Sequence, residues 1–267
     1  MVERPDRTPA VTFHTSDSLV EGASLTLGED AAQHARVLRL TVGQPAEIRD
    51  GKGEAASCVI SRIAKRSITL DVTAVWSIPE MPAVHLLAPV ADRDRMLYLA
   101  EKCTELSATS WRPVIWRRSR SVGPAGDGPA FQSRLKGRMI ASLTQSGGGW
   151  IPEIHPSAPL SRAIAAAPEG TRVFLDAKAD TPLIHIALEA PVSIAIGPEG
   201  GMDDREREEL TEGGFKPASL VGGTLRFETA GIAALAIVRS MLGPSARDAE
   251  PDSQYPAGRE TQKEKSR

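Results

Sequence analysis

Residues 194–202 run Ile194-Ala195-Ile196-Gly197-Pro198-Glu199-Gly200-Gly201-Met202, and Asp203, Asp204 and Glu206 follow closely. An apolar strand ends in Gly-Pro-Glu-Gly-Gly, and acidic residues suited to a helix start come next. Glycines at such a place let the backbone approach a ligand and take positive φ. In an open α/β sheet, ligands bind at the carboxyl ends of strands. An ordinary strand-turn-helix connection would look the same, so this segment alone leaves both readings open.

The neighbouring sequence alternates the two periodicities. Short apolar runs at 83–88, 111–116, 172–175 and 192–196 predict strands. Apolar residues spaced by three and four predict helices over 93–106 and 131–144, with a helix start at 203–210 and an apolar helix at 229–242. Strands alternating with helices imply a mainly parallel sheet, so the fold class is α/β, and residues 82–243 are assigned to that domain.

Before it the texture is β. Runs at 24–27, 46–49, 56–60 and 67–75 are separated by turn residues. Arg49-Asp50-Gly51-Lys52-Gly53 is a hairpin signal, because Asp-Gly favours a tight turn. One helix interrupts the strands, started by Glu29 and Asp30 and presenting Ala31, Ala32, Ala35 and Leu38. Residues 10–76 are therefore expected to form a β domain, with the proline-containing stretch 77–82 as a boundary. Residues 244–267 have no apolar periodicity and are expected to be a disordered tail.

A second segment bears on chemistry: Leu220-Val221-Gly222-Gly223-Thr224-Leu225-Arg226-Phe227-Glu228-Thr229-Ala230. Two glycines precede a cation and a carboxylate, and Thr229 is an N-cap candidate for the apolar helix. A substrate-orienting pair and a surface ion pair with a cap both fit this pattern.

Composition excludes several classes. The 267 residues carry 32 Lys and Arg against 34 Asp and Glu, a net charge of −2, so a basic coat for nucleic acid is absent. Any such contact must be local. Residues 31–70 hold seven basic residues against three acidic, among them Arg36, Arg39 and Lys52. Residues 111–120 hold Arg112, Arg117, Arg118 and Arg120 with Trp111 and Trp116 and no acid. Arginine suits phosphate and aromatic rings can stack on bases, although core packing is expected for at least one Trp. Cys58 and Cys103 form no CxxC pair, the five histidines are isolated, and no metal site is expected. They are expected to be reduced and partly buried. No secretory signal or membrane span is evident, and a cytoplasmic protein is expected. GxGxxG, phosphate-loop, HExxH and GxSxG motifs are absent.

Taken together, the Gly-Pro-Glu-Gly-Gly and Leu-Arg-Phe-Glu-Thr-Ala segments resemble the RsmE-type 16S rRNA uracil N3-methyltransferases of the SPOUT superfamily. Three more blocks in the right order strengthen the resemblance. They are His34-Ala35-Arg36-Val37-Leu38-Arg39 with Gly43, Asp50 and Gly51; Lys102-Cys103-Thr104-Glu105-Leu106 with Pro113; and Gln145-Ser146-Gly147 with Pro152-Glu153-Ile154. The resemblance implies a PUA-like β-barrel, then a SPOUT domain with a trefoil knot, acting as a homodimer. It implies S-adenosylmethionine held by three loops, at Leu175, Ile196, Gly197, Glu199, Gly200, Gly201, Leu220, Gly222 and Leu225. It also implies methyl transfer to N3 of a uridine in small-subunit rRNA, free or in the assembled subunit.

That reaction must remove the N3 proton, which needs a base or a cation stabilising the uridine anion. Arg226 is the candidate cation, since guanidinium rarely deprotonates. Glu228 either orients Arg226 or takes the proton, and Thr229 caps the helix or joins the site. Thr144, Gly148 and Gly223 stand where the family usually has Glu, Arg and Arg, and Ser107 stands for a Gly. A non-catalytic RNA-binding paralogue and a methyltransferase for another base therefore remain open readings.

Overall fold

A computed structural model describes residues 11–119, 128–220 and 223–243. The tail and the candidate residues Arg120 and Gly222 lie outside the described residues.

The first sheet has the order β1 (Thr12–His14), β3 (Pro45–Arg49), β4 (Glu54–Ile63), β5 (Ile68–Ser77), β2 (Ser24–Leu27). The β1–β3 pair is parallel and the others antiparallel. Alternation decides its faces: Ala56, Cys58 and Ile60 of β4, and Ile68, Leu70 and Val72 of β5, point into one core with Phe13 and Ile48. Register shifts at Ser57/Cys58 and Ile60/Arg62 mark irregularities of the kind that bend a sheet. α1 (Glu29–Val37) buries Ala32 and Ala35. Leu38 does not join them: it sits at the C-cap and is 46% exposed, because the helix ends before a further turn could carry it inward.

The second sheet is parallel throughout, ordered β12 (Lys216–Ala218), β10 (Thr171–Leu175), β11 (Val192–Ile196), β6 (Val84–Pro89), β7 (Ser110–Ile115), β8 (Glu153–Ile154), with β9 (Ala158–Pro159) also on β7. Period-two alternation splits its strands between two cores. Leu86, Val173, Ile194 and Ile196 face α2 (Arg93–Glu105), α3 (Pro129–Ser146) and α6 (Phe227–Leu242). Leu87, Phe174 and Ala195 face α4 (Leu160–Ala165) and α5 (Asp204–Glu212). Burial on both faces explains why these strands are near-continuous apolar runs.

The last helix begins earlier than expected. Its N-cap is Arg226, and Thr229 is an exposed residue inside the first turn, so the N-cap assignment of Thr229 is corrected. Phe227 is 3% exposed and belongs to the core, which draws the helix start back by two residues.

The two sheets are clasped by the β3–β4 hairpin. Gly53 N–H donates to Gly149 O at 3.0 Å, and Ile151 N–H donates to Gly51 O at 2.9 Å. Trp150 Nε1 donates to Ile78 O at 3.0 Å. The Arg49 guanidinium, 3% exposed, pairs with Glu47 and donates to the carbonyls of Gly147 and Gly148, the end of α3. Gly53 has φ +97° and presses on the Trp150 ring, so a Cβ there meets both backbone strain and a clash. Gly22 has φ +79° and open space around it. Gly53→Ala should therefore cost about 2–4 kcal/mol and Gly22→Ala about 1 kcal/mol, as unfolding midpoints in urea would show. Equal costs would mean that the clasp is slack.

Candidate functional site

A cavity of about 250 Å³ opens at the carboxyl ends of β10, β11 and β12, where sheet geometry leaves room for a ligand. Three loops and the start of α6 wall it. Of the residues expected there, Leu175, Ile196, Gly197, Glu199, Gly201, Leu220 and Leu225 line it. Gly200 belongs to the same loop but backs onto Arg118 rather than the cavity: a Cβ on it would meet Arg118 Cβ at 3.1 Å and Arg118 O at 3.3 Å. Gly201 takes φ +71° to close a turn in which its N–H donates to Pro198 O at 2.8 Å. Side chains of Met202, Phe227 and Ala230 complete an apolar wall.

The loop is fixed by a capping box. Asp203 Oδ1 accepts from Glu206 N–H at 2.9 Å, and Glu206 Oε2 accepts from Asp203 N–H at 2.8 Å. The Glu206 carboxylate is only 3% exposed, and its other oxygen accepts from Arg117 N–H at 2.7 Å. Arg117 also pairs with Asp203 at 3.5 Å, and Arg118 donates to Gly200 O at 3.3 Å. The Asp203 carboxyl is held below its usual range, first by the Glu206 N–H. Thus the turn after β7 braces the loop after β11.

Charged groups at the cavity come mostly in pairs. Glu199 is paired with Arg95 of α2, whose Nε also lies 3.9 Å from Glu228 Oε1. Glu228 is buried, and its Oε2 has no hydrogen-bond partner among the described residues. Asp176, directly after β10, accepts from Arg207 Nε at 2.7 Å and from Lys178 N–H at 2.9 Å. Burial pushes its carboxyl up, but these two donors outweigh burial and hold it below the usual range. Of the two readings the sequence left open, the Arg226–Glu228 surface pair is not formed: Arg226 is exposed with no ion pair to a described residue, while Glu228 turns toward Arg95.

Sequence reasoning missed Asp176, Lys178, Met202, Arg207, Phe227 and Arg95 at this site. Asp176 could have been found, because it is the first residue past a strand end. Arg95 and Arg207 carry no local signal, since only the fold brings their helices to the loops.

The expected RNA contacts are dispersed. Arg36 and Arg39 are exposed around the end of α1, Arg36 donating to Lys65 O and Arg39 at φ +55°. Lys52 is exposed at the hairpin tip, and Arg112 is half-buried in β7. Arg117 and Arg118 are exposed but tied to the loop after β11. Core packing, expected for at least one of Trp111 and Trp116, holds for both, and base stacking by either is corrected: they are 0% and 2% exposed, because their positions on β7 and just after it face the two cores. Cys58 and Cys103 are free and fully rather than partly buried. Burial, ahead of nearby carboxylates, pushes the Cys58 thiol up to about 12, and burial alone raises Cys103, so neither is a ready thiolate. Among the described residues no cluster of metal-ligating side chains occurs, and no helix is long and apolar enough to cross a membrane.

The chain matches the RNA methyltransferase PUA domain family over residues 27–73, so its first sheet is PUA-like, as expected. It is 27% identical to a ribosomal RNA small subunit methyltransferase E from Synechocystis over 215 residues, 78% of this chain and 69% of that one. The protein of the same name from Mycobacterium bovis is 26% identical over 255 residues, 90% of this chain and 97% of that one. The crystal structure of a ribosomal RNA small subunit methyltransferase E from Neisseria gonorrhoeae, bound to S-adenosyl methionine, aligns with a TM-score of 0.79 at 25% identity, covering 86% of this chain and 97% of that one. A match to the RNA methyltransferase domain family spans residues 79–239, more than half of the chain, and the chain belongs to that family.

Proposed function

We propose that this chain is an S-adenosylmethionine-dependent methyltransferase acting on N3 of a uridine in small-subunit rRNA. The observation that carries the reading is the glycine-looped cavity at the carboxyl ends of β10 to β12, within the part of the chain that matches the RNA methyltransferase domain family. Its apolar wall suits an adenine ring, and its backbone loops offer N–H and C=O groups to the polar edges. Leu175, Ile196, Gly197, Glu199, Gly201, Leu220 and Leu225 would hold the cofactor, with Gly222 joining them from outside the described residues. Gly200 keeps the loop against Arg118. When bound, the cofactor supplies an electrophilic methyl group on a sulfonium.

The remaining chemistry belongs to side chains. N3 of uridine attacks only after its proton leaves. Buried Glu228, with an oxygen that accepts no hydrogen bond from a described residue, is the acceptor. Exposed Arg226, at the N-cap of α6 and beside the cavity-lining Leu225, is the cation that stabilises the uridine anion. Thr229 lies one helical position beyond Glu228 and is exposed in the first turn of α6. Arg36, Arg39, Lys52 and Arg112 supply phosphate contacts, with Arg117 and Arg118 beside the cofactor loop; Arg120 is assigned the same role from sequence, outside the described residues.

The assembly proposed is a homodimer through α6. That helix is apolar almost throughout, yet Ile232, Ala233, Ala236 and Ile237 are only half-buried and Met241 is 37% exposed. An all-round apolar helix requires a cover on every face. The trefoil knot and a cytoplasmic location belong to the same reading. The chain leaving β12 at Ser219 is hydrogen-bonded to Thr181 and Leu183 of the β10–β11 connection, which places the two connections side by side.

Purified protein with labelled S-adenosylmethionine and either small subunits or naked rRNA should transfer label to RNA. Primer extension should then stop at a uridine, because an N3-methyl group blocks pairing. No transfer to either RNA form would leave the non-catalytic reading, and a stop at another base would reassign the target. Arg226→Ala should lower transfer about hundredfold or more while cofactor affinity stays within about twofold. In sedimentation, the protein should run at twice its chain mass of 28.5 kDa, and Ala236→Arg should shift it to monomer.

A further inference from the structure

We propose that Asp176 is the residue that recognises the ribose hydroxyls of the cofactor, with Arg207 as its positioning partner. The inference rests on the cofactor reading above and deepens it. Most of the cavity lining is apolar or backbone, and its charged side chains are Asp176, Lys178, Glu199 and Arg207. Glu199 is committed to Arg95. Asp176 differs from it in standing at the strand end itself, with each of its oxygens fixed by its own donor.

Its carboxylate is built for that task. It stands at the first position beyond β10, and its side chain is 12% exposed. One oxygen accepts from Lys178 N–H and the other from Arg207 Nε, so neither can swing away. Each carboxylate oxygen has two acceptor sites, so one hydrogen bond apiece leaves capacity on both. Two oxygens that can each accept once more match a vicinal diol, which donates twice. The same pairing of an acidic residue past a strand end with a ribose diol recurs in unrelated nucleotide-binding sheets. Arg207 keeps the carboxylate charged and fixed, and its Nη1 also lies 3.2 Å from the exposed Asp204.

The test is a calorimetric titration of the intact protein. Wild type is titrated with S-adenosylhomocysteine, with its 2′-deoxy and 3′-deoxy analogues, and with 5′-methylthioadenosine. Wild type should bind at least one deoxy analogue about tenfold more weakly than the parent. Asp176→Asn should bind the parent about tenfold more weakly and no longer distinguish the deoxy analogues. The same loss should appear with 5′-methylthioadenosine, which lacks the amino-acid end. Equal wild-type affinity for parent and deoxy analogues overturns the proposal, as does discrimination that survives in the variant. A loss confined to S-adenosylhomocysteine also overturns it, assigning Asp176 to the ammonium group instead. If Asp176→Asn fails to fold by circular dichroism, Asp176→Ser, which keeps a cap for Lys178 N–H, is scored by the same criteria. Failure of wild type to bind any of these ligands is a different result and brings down the cofactor reading itself.

Discussion

The buried carboxylate of Glu206 holds the site together. One oxygen closes the capping box on Asp203, and the other takes the backbone N–H of Arg117. A single side chain thus joins the turn after β7, the loop after β11 and the first turn of α5. Burying a carboxylate is costly unless its oxygens are satisfied, and here both are. The loop is consequently set before any ligand arrives. Its glycines then serve two directions, with Gly201 turning the chain toward the cavity and Gly200 letting Arg118 pack from behind. Such preorganisation lowers the ordering that binding must supply.

A second constraint orients the PUA-like sheet. The hairpin tip carries glycines where Ile151 and Trp150 press in, and Arg49 reaches the carbonyls at the end of α3. Helix ends leave carbonyls unsatisfied, and a guanidinium is an apt partner for them. The positions Thr144 and Gly148, where this chain departs from the family pattern, lie in or beside this clasp. Gly148 contributes its carbonyl to Arg49, while Thr144 Oγ1 turns back to Ala141 O at 2.9 Å. Within this chain the segment is a structural junction between sheets, and at Gly147 and Gly148 the backbone carbonyls make the contact.

Much of this was legible in the sequence because it rests on local periodicity. The parallel strands showed as apolar runs, the hairpin as Asp-Gly, α2 and α3 as spacings of three and four, and α6 as a long apolar stretch. What stayed hidden is short or remote. β1, β8, β9 and β12 are two or three residues each, too brief to show alternation. Flanking arginines left one of Trp111 and Trp116 open to base stacking, yet alternation about β7 sends both rings inward. Thr229 looked like an N-cap because capping chemistry is local, whereas Phe227 was drawn into the helix by a core that no local rule describes.

The electrostatics follow the same division. A net charge of −2 averages over groups whose neighbours decide their use. Arg117 and Arg118 sit in a basic run, but a third dimension gives them Asp203, Glu206 and Gly200 as partners. An arginine tied through one nitrogen still has other N–H donors to offer. RNA phosphates meeting those donors would therefore meet groups already coupled to the cofactor loop. In the same way Glu228 and Glu199 share Arg95, so the acceptor proposed for the uridine proton and the glycine loop lean on one guanidinium. Two carboxylates from separate elements thus share one cation, which a count of charges along the chain does not reveal.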